Sequence, residues 1–205
     1  MPTPLSRPPQ RHVLLLRRYG WVVGAAIAVA AVTAAVELWM GRLPLGPDGR
    51  FGWWEGNIWS SEQSQRFADP YTFSHTVHGM LFYALLWLVA RKRPVAERFV
   101  WALALEGAWE ILENSPIIIN RYREATIALG YVGDSILNSV CDIGFAALGF
   151  LVAWRARVWI TVLAIVVMEL GTLLLVRDNL ALNIIMLVHP IDAIKDWQMA
   201  GRPMP

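Results

Sequence analysis

The sequence GDSILNSVCDIGFAALGFLVAW, residues 133–154, decides the fold class of this chain. It is mostly apolar and is long enough to cross the hydrocarbon core of a bilayer, which takes a helix of about 20 residues. Its polar residues Asp134, Asn138 and Asp142 are spaced at intervals of four and therefore lie on one helical face. The segment is predicted to span a membrane as a helix with one polar face.

Four further apolar segments of similar length occur at residues 19–40, 73–90, 99–120 and 158–176. Each is predicted to be a helix, because a single strand cannot satisfy its backbone hydrogen bonds in lipid. The apolar run 180–188 is shorter and ends at a proline, so we expect a re-entrant or interfacial helix there. The predicted fold class is all-α: a multi-pass transmembrane helical bundle of about five spans plus that short C-terminal helix.

The composition agrees with a membrane protein and excludes several other classes. Hydrophobic residues make up 56% of the chain and charged residues only 17%, whereas soluble domains carry about 25% charged residues. A net charge of +2 is too small to indicate a nucleic-acid partner. The single cysteine, Cys141, excludes an internal disulfide framework. The expected partner of most of the surface is the lipid bilayer.

The basic residues predict the orientation of the chain and its division into segments. Ten lysines and arginines fall before the first span, between the second and third, and between the fourth and fifth. By the positive-inside rule that side is cytoplasmic, which predicts a bacterial inner-membrane protein with a cytoplasmic N-terminus. The predicted segments are a basic tail (1–18), a five-span domain (19–176) with an outer loop (41–72), and a C-terminal helix and tail (177–205).

Two features of the first part of the chain leave alternatives open. Residues 28–30, Ala-Val-Ala, resemble a signal-peptidase site, but the apolar run continues to Met40, which favours a retained anchor. The outer loop is either a connector or a lid over a site.

Seven carboxylates within the predicted spans are the most informative feature of the sequence. They are Glu37, Glu106, Glu110, Glu113, Asp134, Asp142 and Glu169. One aspartate at the centre of a span costs about 2.5–3.5 kcal/mol on insertion scales. Protonation, a bound cation, histidine partners or a water-filled cavity must relieve such a cost.

Histidines and carboxylates converge at one predicted depth. Glu106, Glu110 and Glu113 share one face of the third span, and His75 and His78 lie one turn apart on the second. The predicted orientation brings these five residues into the outer half of the bilayer or close to its middle. We therefore expect the acids of neighbouring spans to meet the two histidines there.

Such a mixed set of residues predicts a divalent-metal site, because imidazole suits zinc and carboxylates suit harder ions such as manganese. Zinc or manganese is the expected cofactor. The expected ligands are His75, His78, Glu110 and Glu113, and the expected catalytic acid–base groups are Glu106, Asp134 and Asp142. The alternative interpretation is a structural histidine pair among carboxylates neutralised by protonation.

Three further residues are candidates for binding a substrate. Arg121 and Arg123, in the outer loop after the third span, could hold a lipid phosphate, since arginine pairs well with phosphate. Asn138 lies on the polar face of the fourth span. The alternative for the two arginines is a purely interfacial role, with the stems in lipid and the charges in water.

The motifs DPYTFSH (69–75) and GDSILNS (133–139), followed by Cys141-Asp142, resemble a family of bacterial inner-membrane proteins of unknown function, of the UPF/DUF type. The resemblance covers nearly the whole chain outside its termini and implies a multi-pass inner-membrane location, with no established activity. The helix from Asp134 through Asp142 to Gly149 is also similar to the polar helix of VanZ-like membrane proteins.

Three classes of function are compatible with these observations. The first is a membrane-embedded, metal-dependent hydrolase or transferase acting on a lipid or envelope substrate. The second is a small proton- or cation-coupled transporter, because intramembrane carboxylates also relay ions. The third is a non-catalytic scaffold, in which Gly144 and Gly149 allow close helix packing. The oligomeric state is left open.

Overall fold

The computed structural model describes the backbone of residues 11–201 and the side chains of residues 19–201. The described residues form eight helices and no strand. The helices are α1 (Arg11–Trp39), α2 (Thr72–Ala90), α3 (Val95–Glu113), α4 (Pro116–Ala125), α5 (Ile136–Arg155), α6 (Val158–Val176), α7 (Leu180–Val188) and α8 (Asp192–Met199). The predicted all-α fold is confirmed. Residues 1–10 of the predicted basic tail and 202–205 of the C-terminal tail lie outside the described residues.

Four helices are long and apolar enough to cross a membrane: residues 19–39 of α1, and α2, α5 and α6. They coincide with four of the five predicted spans. The fifth, α3, has 19 residues but carries several charged side chains, and it packs inside the bundle against α1, α2 and α5. The prediction of a multi-pass helical bundle of about five spans is thus confirmed, with α3 as its polar member.

The third predicted span ends earlier than the sequence pattern indicated. Its helix ends at Glu113 instead of continuing to residue 120, and Ser115 is extended before Pro116 opens α4. The residue before a proline is forced away from helical geometry, and proline itself is favoured at the first position of a helix. The break lets α4 start in a new direction, with Tyr122 buried against the bundle.

Helices α2 and α5 approach each other closely because two glycines face the opposite backbone. A Cβ at Gly79 would overlap the carbonyl oxygen of Ala146, and a Cβ at Gly149 would overlap that of Thr76. Gly149 therefore has the packing role that the sequence suggested, whereas Gly144 faces open space. This close contact places the histidines of α2 beside the polar face of α5.

The outer loop, residues 41–72, is tied to the end of the bundle that carries the acids. Arg66 pairs with Asp48 at 2.7 Å, which lowers the pKa of the Asp48 carboxyl. The backbone N–H of Ser135 donates to the Ser64 carbonyl, and the Asn138 side chain donates to the Arg66 carbonyl. The loop therefore covers the start of α5.

Helix α7 follows α6 directly and is too short to cross a bilayer, since nine residues rise about 14 Å. Asn179 caps its first turn, and both carboxylate oxygens of Glu169 accept backbone N–H bonds from Leu180 and Ala181. Glu169 is thus used at the start of α7. The other six intramembrane acids meet elsewhere.

Candidate metal centre

His75 lies at the centre of the buried polar cluster. Its Nδ1 atom is 2.6 Å from Glu106 Oε1 and 3.2 Å from Glu110 Oε1, and its Nε2 atom is 3.8 Å from Asp142 Oδ2. Helix α2 therefore inserts one imidazole between carboxylates from α3 and α5. The approach of α2 to α5 at Gly79 and Gly149 makes this insertion possible.

His78, one turn further along α2, contacts the same carboxylate. Its Nδ1 atom lies 3.2 Å from both oxygens of Glu106. The two imidazole rings meet edge to face with their centroids 5.3 Å apart. Glu106 thus links both histidines, and its side chain is completely buried.

Two overlapping sets of side chains could hold a metal ion. One is His75, His78 and Glu106, and the other is His75, Glu110 and Glu113; within each set the ligand atoms lie within 4.8 Å of one another. The sequence predicted both histidines, Glu110 and Glu113 as ligands, and the structure places His78 in the first set, Glu110 and Glu113 in the second, and His75 in both. It adds Glu106, which sequence analysis assigned to acid–base chemistry.

Several carboxylate oxygens of the cluster are buried without a hydrogen-bond partner among the described residues. They are both oxygens of Glu110, Oε2 of Glu113 and Oδ1 of Asp142. A buried carboxylate without partners is costly unless a cation or a proton compensates its charge. Imidazole nitrogen together with carboxylate oxygen is a donor set that suits zinc or manganese. The residues present therefore fit a divalent ion.

A second polar group is organised by Asn114, just after α3. Its Oδ1 accepts the backbone N–H of Asp134 at 2.6 Å, and its Nδ2 lies 3.2 Å from Asp134 Oδ2 and 3.4 Å from Glu37 Oε1. Gly133 allows this contact, because it has a positive φ of 93° and a Cβ there would lie 2.8 Å from Asn114 Oδ1. Asn114 thus connects α1, α3 and the start of α5.

The ionisation of Asp134 is set by its surroundings. Burial raises the pKa of Asp134 to about 6, although the Tyr131 hydroxyl donates to it at 2.9 Å. A carboxyl with this pKa can accept or release a proton near neutral pH. The predicted acid–base role of Asp134 is therefore compatible with its environment.

A cavity of about 720 Å³ adjoins the cluster. Its polar lining includes Asp69, Tyr71, Ser74, His75, His78, Glu113, Tyr122, Asp134, Asn138, Asp142, Asp178 and Asn183. Its apolar lining includes Leu81, Phe82, Trp109, Leu180, Ile184 and Leu187. Glu106 and Glu110 contact the histidines but are not among the residues that line the cavity. Asp134 and Asp142 are therefore the predicted catalytic residues that face the cavity.

The two arginines predicted to hold substrate donate to backbone carbonyls. The Nε group of Arg121 donates to the Leu187 carbonyl at 2.8 Å, and that of Arg123 donates to the Tyr131 carbonyl. Neither residue lines the cavity. Asn138 does line it, while its side-chain amide donates to the Arg66 carbonyl at 2.9 Å.

Sequence analysis missed the tyrosines of the cavity. Tyr71 donates to Asp178 at 3.0 Å, and Tyr122 donates to Glu113 at 2.9 Å. Tyr71 was accessible to sequence reasoning, because it precedes His75 by four residues and so shares its helical face. Burial raises the pKa of Asp178 to about 6 and also raises that of Asp69.

Comparison with known proteins assigns the chain to a family. A family model described as a protein of unknown function, DUF2585, matches residues 37–200. The chain belongs to the DUF2585 family. The DUF2585 match begins at Glu37, the α1 residue that contacts Asn114, and contains all of the cluster and the cavity.

The relatives of this DUF2585 protein are bacterial proteins of similar length. A UPF0314 protein of Sphingopyxis alaskensis is 49% identical over 186 residues, which cover 91% of this chain and 98% of that protein. A UPF0314 protein of Novosphingobium aromaticivorans is 52% identical, covering 86% and 92%. One of Rhizobium johnstonii is 49% identical, covering 87% and 91%. The predicted membership of a family of unknown function is confirmed. No solved structure matches the chain.

Proposed function

We propose that this DUF2585 protein is a membrane-embedded, metal-dependent hydrolase or transferase that acts on a lipid or envelope substrate. The observation that carries the proposal is His75, buried between Glu106, Glu110 and Asp142 at the wall of a cavity. A histidine among buried carboxylates, several of whose oxygens lack a hydrogen-bond partner, is a donor set that can hold a metal ion, and the cavity gives the site room for a substrate.

We assign the metal-binding, orienting and acid–base roles from the contacts of each residue and from its position relative to the cavity. His75, Glu110 and Glu113 hold the ion with His78, and Glu106 orients both imidazoles by accepting their Nδ1–H groups. A bound zinc or manganese ion would polarise the scissile group and lower the pKa of water. Asp134 or Asp142 accepts the proton of the attacking water and passes it to the leaving group.

The location of the site supports a substrate that arrives from the bilayer or from outside the cell. The cavity lies at the end of the bundle opposite the basic residues Arg91, Lys92, Arg93, Arg155 and Arg157. The positive-inside rule places those residues in the cytoplasm. We therefore propose an inner-membrane protein with a cytoplasmic N-terminus and a site in the outer half of the bilayer.

The half of the bundle between the site and the basic end has an apolar core, which suits an enzyme better than a carrier. Between the site and the basic end, the described residues Leu86, Ala102 and Phe150 form an apolar core, with Phe82, Tyr83, Val95 and Phe99 packed against it. A carrier needs a polar path past this core. A site reached from one side only favours chemistry over transport.

Metal content measured by mass spectrometry tests the proposal. We expect close to one zinc or manganese ion per chain in detergent-purified protein, and loss of that ion in Glu110→Gln. The matched control is Glu169→Gln, which removes an intramembrane carboxylate that serves α7 only, and it should keep its metal. Equal metal content in Glu110→Gln and Glu169→Gln, or an unloaded wild type after reconstitution with both metals, would overturn the proposal.

A further inference from the structure

The cavity changes from polar to apolar along α2. Tyr71, His75, His78 and Phe82 line it in succession, at intervals of three or four residues, so they follow one face of the helix. From Tyr71 to Phe82 the helix rises about 16 Å. Carboxylates and hydroxyls surround the first part of this path, and Leu81 and Phe82 line its end. The shape and polarity therefore fit an amphiphile.

The apolar end of the cavity reaches the outside of the bundle. Leu81 on α2 and Ile184 on α7 both line the cavity, yet 46% and 50% of their surfaces are exposed. Helix α2 is long and apolar enough to cross a bilayer, so its exposed Leu81 faces lipid. A chain-bearing molecule can therefore enter sideways from the bilayer without leaving hydrocarbon.

The polar end of the cavity carries several carboxyl groups and no arginine or lysine among the described residues. The described lining residues include the carboxylates of Asp69, Glu113, Asp134, Asp142 and Asp178 but no lysine or arginine. Arg121 and Arg123, the nearest candidates in sequence, do not line the cavity and donate to the backbone carbonyls of Leu187 and Tyr131. A divalent ion held by Glu110 and Glu113 has its charge cancelled by those two ligands, so the remaining aspartates stay in excess.

One of these aspartates, Asp142, contributes to the cavity wall and keeps one oxygen without a hydrogen-bond partner. Asp142 is 3% exposed and lines the cavity, and its Oδ1 atom has no hydrogen-bond partner among the described residues. Asp178, Asp134 and Asp69 already accept hydrogen bonds from protein groups. No described protein group completes Asp142, and the surrounding carboxylates favour a positively charged partner for it.

The aromatic lining suits the same kind of head group. Tyr71, Tyr122, Tyr131 and Trp109 all contribute to the cavity wall. The faces of aromatic rings attract ammonium groups, by about 0.5–2 kcal/mol each in proteins. Phosphate gains nothing from such faces.

We propose that the substrate of this site is an amphiphile with an amine head group, bound with its ammonium among Asp142, Asp134 and Asp178 and its chain along Leu81 and Phe82. The description of this amphiphile as a substrate rests on the proposed function. The binding preference itself depends only on the cavity and holds with or without a metal ion.

Binding of dodecylammonium tests the proposal against matched amphiphiles. Affinities are measured by tryptophan fluorescence in neutral maltoside micelles, for chelator-treated and for metal-loaded protein. The comparison ligands are dodecyl phosphate, which has the same chain and an anionic head, and ethylammonium, which has the same head without a chain. In chelator-treated protein we expect dodecylammonium to bind at least tenfold more tightly than either. Metal-loaded protein should retain the preference over ethylammonium.

Variants separate the two ends of the cavity. Asp142→Asn should weaken dodecylammonium binding about tenfold and Asp178→Asn about threefold, while Asp196→Asn, an exposed aspartate on α8 away from the cavity, should change nothing. Leu81→Trp should weaken binding of both dodecyl ligands by filling the apolar end. Since Leu81 is half exposed, Leu81→Trp should fold. This variant still tests the inference if Asp142→Asn fails to fold.

Two results would overturn the inference. One is binding of dodecyl phosphate at least as tight as that of dodecylammonium in chelator-treated protein. The other is equal affinity of wild type, Asp142→Asn and Leu81→Trp for dodecylammonium. Neither result depends on metal content, so failure of the proposed metal-dependent function is recognised separately, by the absence of metal from the wild type.

Discussion

The Nδ1 atom of His75 lies 2.6 Å from Oε1 of Glu106, and the same carboxylate lies 3.2 Å from Nδ1 of His78. One buried acid on α3 therefore fixes two imidazoles on α2. The partner of a histidine selects its tautomer and its ring orientation. Glu106 contacts neither Nε2 atom, and the Nε2 atom of His75 lies 3.8 Å from Asp142 Oδ2.

Removing the charge of Glu106 should weaken metal binding without abolishing it. Glu106→Gln keeps the size of the side chain but no longer stabilises both imidazole N–H groups. We expect a loss of metal affinity of about 10–100-fold, the range found for orienting partners of metal ligands. A competition titration with a chelator of known affinity measures it. An unchanged metal affinity of Glu106→Gln would show that Glu106 does not orient the histidines. The matched control is Glu169→Gln.

The close contact between α2 and α5 should tolerate no side chain at Gly79. Gly79→Ala forces a methyl group onto the Ala146 carbonyl, and such overpacking costs about 1–3 kcal/mol. We expect a lower unfolding temperature in detergent and reduced metal content, because the two helices must move apart. Gly144→Ala is the control: that position faces open space, so its stability should stay within about 0.5 kcal/mol of wild type. Similar behaviour of both variants would contradict the close approach.

Asp178 should make the stability of the protein depend on pH. Burial raises its pKa in the folded protein from 3.8 to about 6. The favourable contribution is complete below about pH 3.8, where the carboxyl is protonated in both states, and is lost as the pH rises through about 6. A shift of this size corresponds to about 3 kcal/mol.

Unfolding temperatures measured from pH 4 to pH 7.5 check this dependence. Wild type should lose stability over this range, and Asp178→Asn should lose less. Asp48→Asn provides the contrast, because pairing with Arg66 lowers the pKa of Asp48 and keeps its titration below the range. Equal slopes for wild type and Asp178→Asn would refute the effect of Asp178.

Arg121 should stabilise α7 and should not contribute to ligand binding. Arg121→Ala removes the hydrogen bond to the Leu187 carbonyl, which is worth about 1–3 kcal/mol for a charged donor. Hydrogen exchange of the α7 amides should become faster, while metal content and dodecylammonium affinity stay at wild-type values. A large loss of affinity would instead support the sequence-based expectation that this arginine binds substrate.

The spacing of residues along single helices predicted much of the candidate site. Glu106, Glu110 and Glu113 could be placed on one face of α3, and His75 and His78 on one face of α2, from helical periodicity alone. The basic residues indicated that these faces lie at the same end of the bundle. The meeting of the histidines with Glu110 and Glu113 follows from those two facts.

What periodicity could not predict depends on contacts between elements. Asn114 lies just after α3, and no spacing along that helix indicates that its amide connects Asp134 to Glu37 on another helix. Glu169 looked like a further member of the acidic cluster, but α7 folds back onto it and uses both of its oxygens. Arg121 and Arg123 lie near the site in sequence, yet the backbone carbonyls they reach are fixed only by the tertiary fold.

X-ray absorption spectroscopy of the zinc-loaded protein tests the central claim, that His75 and the α3 carboxylates hold a metal ion, most directly. We expect imidazole scattering with Zn–N distances of about 2.0–2.1 Å alongside oxygen ligands, and a reduced imidazole signal in His75→Ala. A bound zinc surrounded by oxygen ligands alone, or a spectrum unchanged in His75→Ala, would contradict it.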